Sequence, residues 1–129
     1  MIKRVLLCDD EVFILRAAEI KLKHAGFEVH TAADGEEGWE MVLQYKPDIV
    51  VTDCQMPRLD GLGLIRRMRE DPETRDIPAL MLTAKGFELS RDELAAKWNV
   101  ITVLHKPFSP RELLQIVTDA LSAQPAANA

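Results

Sequence analysis

The apolar run Val5 to Cys8 stops in three acids, Asp9, Asp10 and Glu11. Acids beside a core are costly unless something positive binds them, so their partner must come from elsewhere in the chain. Other strand-like segments also end in polar residues. Asp53 follows Ile49 to Thr52, Thr83 ends the segment that starts at Ala79, and Lys106 comes just after Val100 to Leu104. Close carboxylates repel one another. A hard divalent cation such as Mg2+ relieves that repulsion, taking oxygen ligands and keeping some water. Lysine adds a mobile positive point charge, and threonine an uncharged hydroxyl. The set suits a phosphoryl group. One carboxylate can attack phosphorus and become an aspartyl phosphate, while metal and lysine offset charge on the transferring oxygens. Aspartates after strands are also common turn formers and caps, so spacing alone leaves open whether these residues meet.

The elements that would have to bring them together are legible in the pattern. Lys3 to Cys8 reads as a short apolar strand, and Glu11 to His24 carries Ile14, Ala17, Ala18 and Leu22 at helical spacing. Gly26 stands where a helix ends. Glu28 to Ala32 is a second strand. Asp34, with Glu37 three residues on, starts a helix as a capping box; it runs to about Tyr45, with Pro47 beyond. The third strand lies in PDIVVTDCQMP, where Ile49, Val50 and Val51 favour a buried strand and Pro57 stops it. A third helix spans Gly61 to Glu70, entered by the Asp60–Gly61 turn, and Ala79 to Thr83 is a fourth strand. Leu89 to Trp98 reads as a fourth helix, with an ill-defined start. Val100 to Leu104 is the fifth strand. Ser109, Pro110 and Glu112 supply an N-cap, a first-turn proline and an N3 acid for a last helix to Ser122.

Strand then helix, repeated along the chain, implies an α/β fold: a doubly wound parallel sheet with helices on both faces. In such sheets sites form beyond the carboxyl ends of the strands. That is where Asp9, Asp10, Asp53, Thr83 and Lys106 stand.

The 129 residues fit one domain, expected over 1–123 with a tail at 124–129. The apolar fraction is 47% and the net charge −5, which argues against a generic nucleic-acid surface. No apolar stretch is long enough to cross a membrane, and the start MIKRVLLCDD does not read as a signal peptide. Cys8 and Cys54 lack metal-ligand spacing and read as buried, reduced thiols. A cytoplasmic location is the simplest expectation.

The segments LLCDDE, VVTDCQMPRLDGLGLI, LMLTAKG and VLHKPFSPREL, in that order, resemble the receiver domain of two-component response regulators. The resemblance runs from Lys3 to about Leu121 and is chemotaxis-regulator-like. It implies a flavodoxin-like (βα)5 fold with strand order 2-1-3-4-5. By the same resemblance Asp53 is the phosphoacceptor, and Asp9 and Asp10 are the acidic pair that helps hold Mg2+. Asp10 and Asp53 would be direct ligands, Asp9 would act mainly through water, and Gln55 would give its backbone carbonyl. Thr83 is the switch hydroxyl, and Lys106 the site lysine with a cis bond to Pro107. The resemblance further implies a sensor histidine kinase or a histidine phosphotransfer protein as donor, an output partner, and a monomer or weak homodimer. Gln55 and Lys85 occupy positions that influence phosphoryl lifetime in the family.

Two departures stand out. The family usually has Tyr or Phe three residues before its lysine, whereas this chain has Val103, expected as a buried strand residue. AKWNVITV replaces the usual small and acidic residues before the fifth strand, with Trp98 expected to pack. That weakens the expectation of the family's dimer face of helix four, strand five and helix five. Met56 and Pro57 read as architectural, Gly61 and Gly86 as backbone devices. None of His24, His30 and His105 reads as a phosphoryl donor. With no output domain after the last helix, a stand-alone receiver is expected and direct DNA binding is not; a receiver cut from a larger regulator or hybrid kinase is the alternative. Two other classes remain: a receiver-like scaffold that binds partners without phosphorylation, and an aspartyl-phosphate phosphatase. The phosphatase would want an acid where Gln55 stands.

Overall fold

Ile49, Val50 and Val51 are fully buried, as strands covered on both faces require. They lie in β3 (Ile49–Asp53), the middle strand of a five-stranded parallel sheet. The other strands are β1 (Arg4–Cys8), β2 (Glu28–Ala32), β4 (Ala79–Thr83) and β5 (Val100–His105), in the order β2-β1-β3-β4-β5. This is the expected doubly wound (βα)5 order. The computed structural model describes residues 2–84 and 96–123.

Side chains alternate across a strand. Val5 and Leu7 therefore join Val51, Leu80 and Leu82 on one face, under α1 (Val12–His24) and the C-terminal helix (Pro110–Ser122). Leu6, Cys8 and Val50 join Val42, Leu64 and Met68 on the other, under α2 (Gly35–Tyr45) and α3 (Gly61–Glu70). Beside them Ile65, Met81 and Val103 form a further cluster, and Trp98 packs on it. Cys8 and Cys54 are free and buried.

Helix ends follow their sequence signals with one change of partner. Ser109 and Glu112 form the reciprocal capping box at the C-terminal helix, with Pro110 in the first turn. At α2, Asp34 Oδ1 accepts from the Glu37 N–H at 2.9 Å, but Glu37 Oε1 accepts from Ala33 rather than Asp34. The box is thus shifted by one residue on its return side. Ala25 caps α1, and Gly26 beyond it takes φ +99°, a left-handed conformation that glycine adopts without strain. Of the expected fourth helix, residues 96–98 are helical; the rest lies outside the described residues, with Lys85 and Gly86. Strand β5 runs one residue further than expected, to His105.

Candidate functional site

The carboxyl ends of β1, β3, β4 and β5 lie together because the strands are parallel and in register. Asp53 on β3 pairs with Leu82 on β4, so Thr83 stands one step beyond it. Thr83 in turn pairs with His105, and its carbonyl accepts the Lys106 N–H at 2.8 Å. On the other side Cys8 pairs with Thr52, which carries Asp9 and Asp10 alongside Asp53.

Asp9, Asp10 and Asp53 each offer an oxygen, all within 4.8 Å of one another. Asp9 and Asp53 are buried at 2% and 6% exposure, while Asp10 faces solvent. These hard oxygen donors, with excess negative charge, fit a divalent cation that keeps part of its water. Burial, then the charges of Asp9 and Asp10, push the Asp53 pKa up to about 6 against the pull of Lys106. Burial likewise raises that of Asp9, against the Glu11 N–H and Lys106. The acids are therefore under-compensated, as a cation site is.

Lys106 supplies the positive charge that the acids demand. Its Nζ lies 2.7 Å from Glu11 Oε1, 2.9 Å from Asp9 Oδ2 and 3.4 Å from Asp53 Oδ1. The Asp9 contact is close but poorly directed, an ion pair rather than a hydrogen bond. Burial works against the ammonium, but its hydrogen bond to Glu11 and the charges of Asp9 and Asp53 outweigh it, so its pKa stands above the usual lysine value. The Lys106–Pro107 peptide is cis. Thr83 Oγ1 is buried and has no hydrogen-bond partner among the described residues. Such an orphan is costly and calls for an acceptor.

The turn after Asp53 is fixed by backbone contacts. The Gly61 N–H donates to the Cys54 carbonyl at 2.9 Å, and a Cβ on Gly61 would run into the Asp53 carbonyl. Asp60 is the N-cap of α3, its carboxylate accepting from Gly63 at 2.7 Å, and is no part of the carboxylate cluster. Thr52 Oγ1 donates to the Asp53 carbonyl at 3.0 Å, and Met56 packs below. Gln55 is exposed in this turn. Glu11 was legible as an acid but not as a partner of Lys106. The signal was its place at the start of α1, next to the site.

A doubly wound parallel sheet with a carboxylate cluster, a lysine and a buried hydroxyl at its carboxyl end defines a phosphoryl-handling α/β domain. The chain belongs to the response regulator receiver domain family, whose model matches residues 5–118. It is 37% identical over 113 residues to the alkaline phosphatase synthesis transcriptional regulatory protein PhoP of Bacillus subtilis, a match covering 88% of this chain and 46% of that protein. The chain spans about half the length of the curated relatives it matches. Among solved structures, the receiver domain of the response regulator AraT from Geobacillus stearothermophilus superposes with a TM-score of 0.81 at 30% identity, covering 95% of each chain. The chemotaxis response regulator CheY4 of Vibrio cholerae superposes with a TM-score of 0.82 at 28% identity, covering 92% of this chain and 98% of that one. Family and aspartate cluster together mark the chain as a phosphoacceptor domain.

Proposed function

We propose that the receiver unit, residues 1–123, takes a phosphoryl group onto Asp53 from a phosphohistidine on a sensor histidine kinase or a phosphotransfer protein. The observation that carries this reading is the meeting of Asp53 with Asp9, Asp10, Lys106 and the buried Thr83 hydroxyl. Asp9, Asp10, Asp53 and the Gln55 carbonyl would hold Mg2+, which offsets charge on the transferring oxygens. An Asp53 carboxylate oxygen attacks phosphorus, the P–N bond breaks, and its electron pair leaves with the imidazole. The Lys106 ammonium pairs with one phosphoryl oxygen, and the Thr83 hydroxyl donates to another. Pairing the Thr83 hydroxyl with a phosphoryl oxygen biases two conformations, and an output partner reads the bias. Val103 is buried in β5, so no aromatic ring at that position takes part. Water later hydrolyses the acyl phosphate.

Intact mass after incubation with acetyl phosphate tests this reading. A gain of one phosphoryl that needs Mg2+ and is absent in Asp53→Asn is expected. No gain in the wild-type chain would favour a scaffold that binds partners without phosphorylation.

A further inference from the structure

Glu11 makes the shortest contact of Lys106, at 2.7 Å against 2.9 Å for Asp9 and 3.4 Å for Asp53. Glu11 takes the directed hydrogen bond of this ammonium, whereas Asp9 and Asp53 hold it by charge. Glu11 is also the N-cap residue of α1, where a short polar side chain would normally turn back onto the helix N–H groups. Here it forms no such cap bond. The Glu11 backbone N–H donates to Asp9 Oδ1 at 2.9 Å, which fixes the residue beside the site while its side chain reaches across to the lysine.

We propose that Glu11 is a positioning residue that holds the Lys106 ammonium in the resting state and releases it when a phosphoryl group on Asp53 needs it. The inference rests on the phosphoacceptor reading. A phosphoryl group brings between one and two further negative charges to Asp53, and these draw the ammonium towards Asp53 and away from the oxygens that hold it. One carboxylate has to let go. Asp9 has a side chain 2% exposed, so losing its cation would leave a buried charge unpaired. Glu11 is 58% exposed and water can take the place of the lysine. Glu11 is therefore the partner released, and its hold on the lysine opposes phosphoryl engagement.

Beryllofluoride, an analogue of the phosphoryl group, allows an equilibrium test in the presence of Mg2+ on the wild-type chain, Glu11→Gln and Glu11→Asp. Glu11→Asp keeps the charge but is one methylene shorter, which takes the carboxylate out of reach of Nζ. Both variants are expected to bind beryllofluoride about two- to fivefold more tightly, the size open to an ion pair with one exposed member. In the ligand-free protein the nitrogen-15 signal of the Lys106 ammonium is expected to show slow hydrogen exchange, and both variants should lose that protection. Wild-type affinity in Glu11→Asp with tighter binding in Glu11→Gln would make the effect one of net charge and overturn the tether. Unchanged affinity in both, or an ammonium signal indifferent to both, would overturn it as well. Acetyl phosphate labelling of the wild-type chain is run alongside. If it succeeds, those results leave the phosphoacceptor reading standing; if it fails, both fall.

Discussion

Asp53 is held where its own charge is disfavoured. Burial and the neighbouring Asp9 raise its pKa to about 6, so at neutral pH the metal-free protein carries a carboxylate it would rather protonate. Removing that charge without changing shape should stabilise the fold. Asp53→Asn is expected to raise the metal-free stability at pH 7 by about 2 kcal/mol, from a shift of this size. Urea unfolding at constant slope checks it, and a variant no more stable than the wild-type chain would refute the claim of uncompensated charge. Asp9, Asp10, Asp53, Thr83 and Lys106 were all legible because each follows an apolar strand and parallel strands gather their carboxyl ends. The link from Glu11 to Lys106 was not. The residues lie 95 positions apart, and a glutamate at a helix start reads first as a favourable first-turn charge.

At the scale of elements, the strand and helix spans were legible from β-branched runs, caps and prolines, while the ties between elements were not. Arg69, at the end of α3, shows why. Its guanidinium donates to the carbonyls of Ile77 at 2.6 Å, Trp98 at 2.7 Å, Arg75 at 3.0 Å and Asn99 at 3.3 Å. It thereby clasps the segment entering β4 to the turn entering β5, at the end of the sheet away from Asp53. Nothing in the sequence sets this arginine apart from its neighbours, because its acceptors are backbone carbonyls supplied by loops. Trp98, expected to pack, does so on the cluster around Val103, with the Arg66 guanidinium 5.4 Å over its ring. Arg69→Ala leaves several carbonyls to find other donors and is expected to cost about 2–4 kcal/mol. Acetyl phosphate labelling of folded protein should proceed at the wild-type rate; a matching loss of labelling would show that the clasp and the site are coupled. At the other end of the chain Ser109→Ala, which removes the acceptor of the Glu112 N–H, should cost about 1 kcal/mol.

For the whole molecule, the concentration of charge at one end of the sheet ties stability to pH and to divalent cations. The folded pKa of Asp53 lies above its ordinary value of 3.8, at about 6, with that of Asp9 raised in the same direction. An acid with a raised folded pKa contributes stability that is fully present below its unfolded pKa and lost as pH rises through the folded one. The metal-free chain should therefore lose up to about 2 kcal/mol between pH 4 and pH 7 on account of Asp53. Other groups titrate in the same range, so the quantity to follow is the stability difference between the wild-type chain and Asp53→Asn at each pH. That difference should be small near pH 4, where both side chains are neutral, and widen in favour of the variant towards pH 7. Mg2+ should act in the opposite sense. A cation bound only by the folded state stabilises it as its concentration exceeds the dissociation constant, and it needs ionised carboxylates. At pH 7 saturating Mg2+ should raise the melting temperature of the wild-type chain and narrow its gap to Asp53→Asn, whereas at pH 4 it should do little. Thermal unfolding across pH with Mg2+ and with a chelator measures both slopes. A wild-type chain whose melting temperature ignores Mg2+ at pH 7 would mean that Lys106 alone compensates the acids, and that the cluster does not hold a cation.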